Sequence, residues 1–155
     1  MSTLEIERKF LINSIPSELE SSLCHQIEQG YLSYDPEIRI RKKDELFFLT
    51  IKIGEGLSRF EKEIEISERE YQFLSGNIKS RQIKKERYDI PLGTGLCAEL
   101  DVYKAQLEGL AVVEVEFLSE DQANLFDKPE WFGIEITLDK KYKNKSLSLI
   151  DRWNG

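Results

Sequence analysis

Cysteine is scarce in this chain: Cys24 and Cys97 stand alone and far apart. Two isolated thiols make neither a disulfide framework nor a zinc site, so both are expected free and buried. Long hydrophobic runs are missing as well. No apolar stretch approaches the length that crosses a bilayer, and Glu5, Glu7, Arg8 and Lys9 stand where a signal peptide keeps its apolar region. The expectation is a cytoplasmic protein that engages no membrane. Positive charge is in deficit, the net charge being −7, which argues against bulk attraction to nucleic acid. The sole histidine, His25, lies outside every motif and reads as a surface or helix-end residue. No internal repeat, linker or low-complexity stretch divides the chain, so residues 1–155 read as one domain.

What the chain does have is alternation. Charged residues make up 33% of it and hydrophobic residues 40%, and much of the charge is interleaved with apolar side chains. In Leu4-Glu5-Ile6-Glu7-Arg8-Lys9-Phe10, period two puts Glu5, Glu7 and Lys9 on one face of a strand, with Ile6 and Phe10 behind. The pattern returns along the chain. Strands are expected at Ile27–Tyr34, Ile38–Lys43, Leu46–Ile53, Phe60–Ile66, Lys79–Ile90, Leu96–Gln106, Val112–Leu118 and Ile134–Thr137. Gly54-Glu55-Gly56 breaks the chain between two of them. Leu19 and Leu23 suggest a short helix after Pro16. Ser67-Glu68-Arg69-Glu70 and Ser119-Glu120-Asp121-Gln122 fit capping boxes that open two more. Spaced Tyr142, Leu147, Ile150 and Trp153 suggest a C-terminal helix. Seven or eight strands with hairpin-like connections favour an antiparallel barrel or strongly curved sheet with helices packed on the outside, α+β in class.

Alternation alone does not say which face is inside. The charges, however, are sorted by strand. Glu5/Glu7, Glu61/Glu63, Glu99/Asp101 and Glu114/Glu116 are acidic pairs, whereas Arg39/Arg41 and Lys85/Arg87 are basic pairs. A solvated face mixes signs to make cross-strand pairs. Sorted acids and bases suit a wet lumen that takes divalent cations on carboxylates and an anion on arginine and lysine. The ligand so implied is a metal-complexed polyphosphate. A plain barrel with its charges in solvent is the alternative.

Glu5-Ile6-Glu7-Arg8-Lys9 resembles the ExExK signature of the CYTH superfamily, the triphosphate tunnel metalloenzymes. The resemblance runs on through Arg39-x-Arg41, Leu49-Thr50-Ile51-Lys52, Glu61-x-Glu63, Lys85-Glu86-Arg87-Tyr88, Val113-Glu114-Val115-Glu116-Phe117 and the tail Tyr142–Leu147, as in short bacterial members. It implies an eight-stranded antiparallel β-barrel, a tunnel with charges facing inward, a magnesium or manganese ion as cofactor, and hydrolysis or transfer at a triphosphate. By motif position it implies that Lys9, Arg39, Arg41, Lys52, Lys85 and Arg87 hold phosphate oxygens. Glu5, Glu7, Glu114 and Glu116 hold metal, while Glu61 and Glu63 divide between metal and the basic groups; Glu99 and Asp101 rank behind them. Lys9, Tyr31 and Glu7 are the catalytic candidates, with Lys9 and Tyr31 orienting the attacking water. Inorganic tripolyphosphate is the expected substrate, and the protein is expected as a monomer or homodimer. Thiamine triphosphatase, nucleoside triphosphatase, adenylate cyclase and a non-catalytic polyphosphate or nucleotide sensor are the competing readings.

Overall fold

The computed structural model describes residues 3–54 and 57–155. Glu55 and Gly56 of the expected chain break lie outside these residues; Gly54, just before them, has a φ of +106° that glycine adopts without strain. Nine strands form: β1 (Thr3–Ile12), β2 (Leu23–Tyr34), β3 (Glu37–Lys43), β4 (Leu46–Ile53), β5 (Ser58–Ile66), β6 (Ile83–Pro91), β7 (Cys97–Tyr103), β8 (Ala111–Phe117) and β9 (Phe132–Glu135). Three short helices accompany them: α1 (Glu68–Ser75), α2 (Glu120–Asn124) and α3 (Asn144–Leu147). Eight strands close in the order β1-β5-β4-β3-β2-β6-β7-β8 and back to β1, and every pairing is antiparallel. β9 stands outside this ring, paired to the later part of β1.

Hydrophobic residues on the two faces of the wall serve different ends. Ile6, Phe10, Val113, Val115, Leu100 and Ile90 point outward, where α2 and β9 cover them with Ala123 and Phe132. Ile83, Tyr103 and Val112 share the inward face of their strands with the charged residues, but lie toward one end of the lumen. The C-terminal segment covers that end with Leu147, Tyr142, Ile150 and Trp153. Burying a side chain of this size stabilises by roughly 1.5–3 kcal/mol, so the tail is held by packing rather than by helix propensity.

That packing explains a departure from the sequence pattern. Instead of one C-terminal helix there is a 3-10 turn at Lys140–Tyr142 and a four-residue α3, because the chain must bend to set successive apolar groups into the barrel mouth. Likewise Leu19 lies in a 3-10 helix, Ser17–Ser21, and Leu23 already starts β2, drawn there by its pairing with Asp89 of β6. β6 starts only at Ile83, because the amides of Lys79 and Arg81 bond the carbonyls of Tyr31 and Ser148 outside the sheet. β7 ends at Tyr103, short of the expected Gln106, since Ala105–Leu107 turns into a 3-10 helix. Cys24 and Cys97 are both exposed, not buried; each sits on the rim of a strand with no apolar cover. His25 is neither at a helix end nor free at the surface: it lies in β2 between Asp44, 2.7 Å from Nδ1, and Asp89, 3.0 Å from Nε2.

Both N-cap bonds form: the Ser67 hydroxyl accepts from the Glu70 amide, and the Ser119 hydroxyl accepts from the Gln122 amide. The return half of each box differs from expectation: the Glu70 carboxylate accepts from the Ser67 hydroxyl and the Gln122 side chain from the Leu118 amide. α1 leans on the wall through Tyr71, whose ring lies 4.9 Å from that of Phe47. Gly133 in β9 marks a tight approach: a Cβ there would lie 3.0 Å from Asn13 Oδ1 and 3.2 Å from the Leu11 carbonyl oxygen. Backbone cannot yield as a side-chain tip can, so Gly133→Ala is expected to lower stability by about 1–3 kcal/mol in chemical denaturation.

Candidate functional site

The inward faces enclose a cavity of about 290 Å³. Its wall includes Glu5, Glu7 and Lys9 from β1; Tyr31 from β2; Arg39 and Arg41 from β3; and Lys52 from β4. β5 adds Arg59, Glu61 and Glu63, β6 adds Arg87, β7 adds Glu99, and β8 adds Glu114 and Glu116. The period of two makes this possible: where one strand supplies several of these residues, they are two or four apart. Register does the rest. Glu7 lies opposite Glu116 and Lys9 opposite Glu114, Glu99 also faces Glu114, Glu5 faces Arg59 and Lys52 faces Glu61.

Acids therefore gather on β1, β7 and β8, and bases on β3, β4 and β6. Like charges directly across a sheet repel, and the ionisation of the pairs reflects it. Burial and the neighbouring Glu114 push the Glu7 carboxyl up to about 8. Burial acts on Glu114 too, but Lys9, Arg87 and Lys85 outweigh it and hold Glu114 well below the usual carboxylate range. Within that pair Glu7 is the carboxyl that binds a proton more tightly and Glu114 the one that gives it up more readily. Burial and a hydrogen bond donated to Glu61 raise Glu5 in the same way; burial acts on Glu61 too, but accepting that bond and the nearby Lys52 outweigh it and lower Glu61. Burial, followed by Glu5, also raises Glu116.

The cations are held by these acids. Lys52 Nζ lies 3.0 Å from Glu5 Oε1 and 3.7 Å from Glu61 Oε2. Arg41 Nη2 is 3.0 Å from Glu63 Oε2; burial and then Arg39 pull its guanidinium down to about 10. Lys9 Nζ lies 3.6 Å from Glu114 and donates to the Tyr142 carbonyl at 2.9 Å. Arg39 lies beside the hydroxyl of Tyr31, and Tyr31 is fully buried and stacked on Tyr34 at 5.8 Å. Burial pushes the Tyr31 hydroxyl upward, so it stays protonated. Among the described residues, the buried Nε atoms of Arg39 and Arg41 find no hydrogen-bond partner.

Lys85 is the expected phosphate ligand that the structure does not bring to the cavity wall. Its ammonium lies 2.7 Å from Asp101 Oδ2, and both side chains are buried. Arg87 grips the same carboxylate with two bonds, 2.7 and 2.9 Å, and still reaches Glu99 at 3.3 Å. Asp101 is thus a pillar behind the wall. Burial pushes its carboxyl up, but Arg87 and Lys85 more than offset this and hold it ionised.

Six lining residues escape the sequence pattern, two of them Thr3 and Glu37 at the first positions of β1 and β3. Arg59 donates to Glu5 at 3.2 Å and to Glu7 at 2.9 Å. It shares the spacing of Glu61 and Glu63, and a strand begun two residues before Phe60 would have included it. Thr137 lines the cavity from just beyond β9, which runs over Phe132–Glu135 rather than the expected Ile134–Thr137; Lys143 and Asn144 line it from the C-terminal segment, which has no strand period to reveal them. Asn144 accepts from the Tyr103 hydroxyl at 2.5 Å.

Hard divalent cations take carboxylate oxygens, and this donor set suits them: the acids meet in pairs that now share a proton or an arginine. Among the described residues no three acidic, histidine or cysteine groups already converge as a metal cluster. Also among them, no helix is long and apolar enough to cross a membrane.

No protein-family model matches the chain. Whole proteins do. The chain is 44% identical to the inorganic triphosphatase of Nitrosomonas europaea, across 94% of this chain and 97% of that protein. It is 33% identical to the inorganic triphosphatase of Acetivibrio thermocellus, across 92% of each. A crystal structure of an inorganic triphosphatase superposes with a TM-score of 0.72 at 40% identity, covering 96% of this chain and 97% of that one. A closed eight-stranded tunnel with an ionised lumen, and near-complete alignment with two such proteins, place the chain in the inorganic triphosphatase family, among the short bacterial members of the CYTH superfamily.

Proposed function

We propose that this protein hydrolyses inorganic tripolyphosphate inside its lumen with the help of Mg²⁺ or Mn²⁺. The observation that carries the reading is the lining itself: acids on one arc of a closed barrel face arginines on the other across about 290 Å³. The 44% identity to a protein named inorganic triphosphatase supports the same substrate. Tyr31 is the single aromatic among the described lining residues, and it is stacked on Tyr34. A nucleoside base or thiamine ring finds no open apolar platform here.

Arg39, Arg41 and Arg87 hold the phosphoryl oxygens through forked, charge-assisted bonds. Arg87 is aimed by its two bonds to Asp101, and Lys85 neutralises that carboxylate from behind. Glu5, Glu7, Glu114 and Glu116 hold the divalent ion, with Glu61 and Glu63 sharing their charge with Lys52 and Arg41. When bound, the ion supplies Lewis-acid neutralisation of the charge that develops on the phosphoryl oxygens. Lys9, fixed by the Tyr142 carbonyl, orients the water for in-line attack, with Glu7 beside it as acceptor. Tyr31 keeps its proton and steadies Arg39. The enclosed lumen holds one small anion, so a monomer suffices, and the carboxylate lining keeps nucleic acid out.

A matrix of metals against triphosphates, read by phosphate release and by cyclic-nucleotide formation, tests this. Turnover of tripolyphosphate with Mg²⁺ or Mn²⁺, lost in chelator and weaker on ATP and thiamine triphosphate, is expected. Faster turnover of an organic triphosphate would reassign the substrate, and binding without turnover would make the protein a sensor.

A further inference from the structure

We propose that Arg59 is a built-in stand-in for the divalent ion: it holds Glu5 and Glu7 together in the metal-free protein and must leave when metal arrives. This rests on the reading of Glu5 and Glu7 as metal ligands. One nitrogen, Nη2, lies 3.2 Å from Glu5 Oε1 and 2.9 Å from Glu7 Oε1. A single cationic atom thus bridges oxygens of two acids on one face of β1, as a bound cation does. The two occupants exclude each other, because Mg²⁺ needs oxygens at about 2.0–2.1 Å and repels an adjacent guanidinium.

Arg87, Lys9, Lys52 and Arg41 do not hold this position. Arg87 is tied by two bonds to Asp101 and has nowhere to swing. Lys9 pairs with Glu114 alone, at 3.6 Å, and is anchored to a carbonyl. Lys52 reaches Glu5 but lies between it and Glu61, across the β4–β5 ladder. Arg41 pairs with Glu63. Arg59 is paired across strands with Glu5, lines the cavity, and among the described residues makes its side-chain hydrogen bonds to Glu5 and Glu7, both assigned to the metal.

Displaced from those acids, the guanidinium is left inside the lumen with its fork free to meet phosphate oxygens. Metal and polyanion then favour each other's binding, since the anion gives Arg59 a new partner and the metal releases it. Without the anion, metal must expel Arg59 from the two carboxylates it bonds, leaving it Glu37, a lining acid outside the metal set that already acts on it through space. The device keeps the acidic row neutralised until the metal–triphosphate complex arrives.

The test is a Mn²⁺ titration of the metal-free protein, followed by the paramagnetic resonance of free Mn²⁺, with no anion added. Arg59→Gln is expected to bind Mn²⁺ about tenfold more tightly than the parent. Arg59→Lys, which keeps the charge but not the fork, is expected to fall between them; it also serves should the glutamine variant not fold. In chelator, Arg59→Gln is expected to melt below the parent, and Mn²⁺ is expected to narrow the gap. Equal or weaker Mn²⁺ affinity in the folded variants overturns this inference and leaves the metal reading in place. Absence of Mn²⁺ binding in parent and variants, with and without tripolyphosphate, overturns both.

Discussion

Glutamine in place of Glu7 or Glu116 is expected to cut metal-dependent phosphate release from tripolyphosphate by roughly 10²–10³-fold while leaving the barrel at least as stable. Both halves follow from one fact. Burial and the acids around them raise both carboxyls above their ordinary range, so the folded chain holds their charged forms at a cost. An isosteric amide removes that cost and keeps an acceptor for Arg59. It also removes the charge that a divalent ion needs. Phosphate release and thermal melting in chelator, measured on the same variants, check the pair of outcomes. Loss of activity with loss of stability would mean that these residues are structural. Retained activity in both variants would remove the metal assignment.

Replacement of Asp101 is expected to have the largest effect on stability. Its carboxylate is fully buried and is the shared counter-ion of Lys85 and Arg87. Asp101→Ala leaves two cations in the wall without it. Removing one partner of such a buried group costs about 3–5 kcal/mol, because the surviving charge stays desolvated. Arg87 loses its aim as well, so turnover is expected to fall with stability.

The same cluster sets a pH dependence. Burial pulls the Lys85 ammonium down to about 7, with help from Arg87 and against Asp101; Glu114 also acts to raise it, and Tyr103 packs below. The unfolded lysine, near 10.5, keeps its proton over a range where the folded one has lost it. Between pH 7 and 10.5 the unfolded chain thus binds more protons at this position, and this group's contribution to stability rises with pH. Below pH 7 both states are protonated and the contribution is flat. Chemical denaturation at a series of pH values is expected to show a rise in the parent that Lys85→Met lacks. Equal slopes would show that Lys85 stays charged in the fold.

Much of this architecture is legible in the sequence because a strand writes its two faces at period two. β4 runs from Leu46 to Ile53, as the alternation indicates, and the other strands depart only at their ends. The choice of face was not written there, since Glu5-Ile6-Glu7 reads equally well with either side inward. Family resemblance supplied it, and the cavity lining agrees. Pairing across strands was hidden for a different reason. Nothing near Lys85 in the chain announces Asp101, sixteen residues on, as the carboxylate that draws it out of the cavity. Arg59 was hidden by its neighbours: it follows a glycine-rich break and precedes Phe60, where the alternation looks as though it begins. Lys143 and Asn144 reach the lumen from a bend whose position depends on Leu147 and Trp153 packing into the mouth, which no local pattern encodes.

The most direct measurement is a crystal structure with Mn²⁺ and tripolyphosphate bound, with the metal located by its anomalous scattering. The account predicts Mn²⁺ on the carboxylates of Glu5, Glu7, Glu114 or Glu116, and the polyanion against Arg39, Arg41 and Arg87. Metal and anion found on the outer wall, with the lumen holding only its own ion pairs, would contradict it.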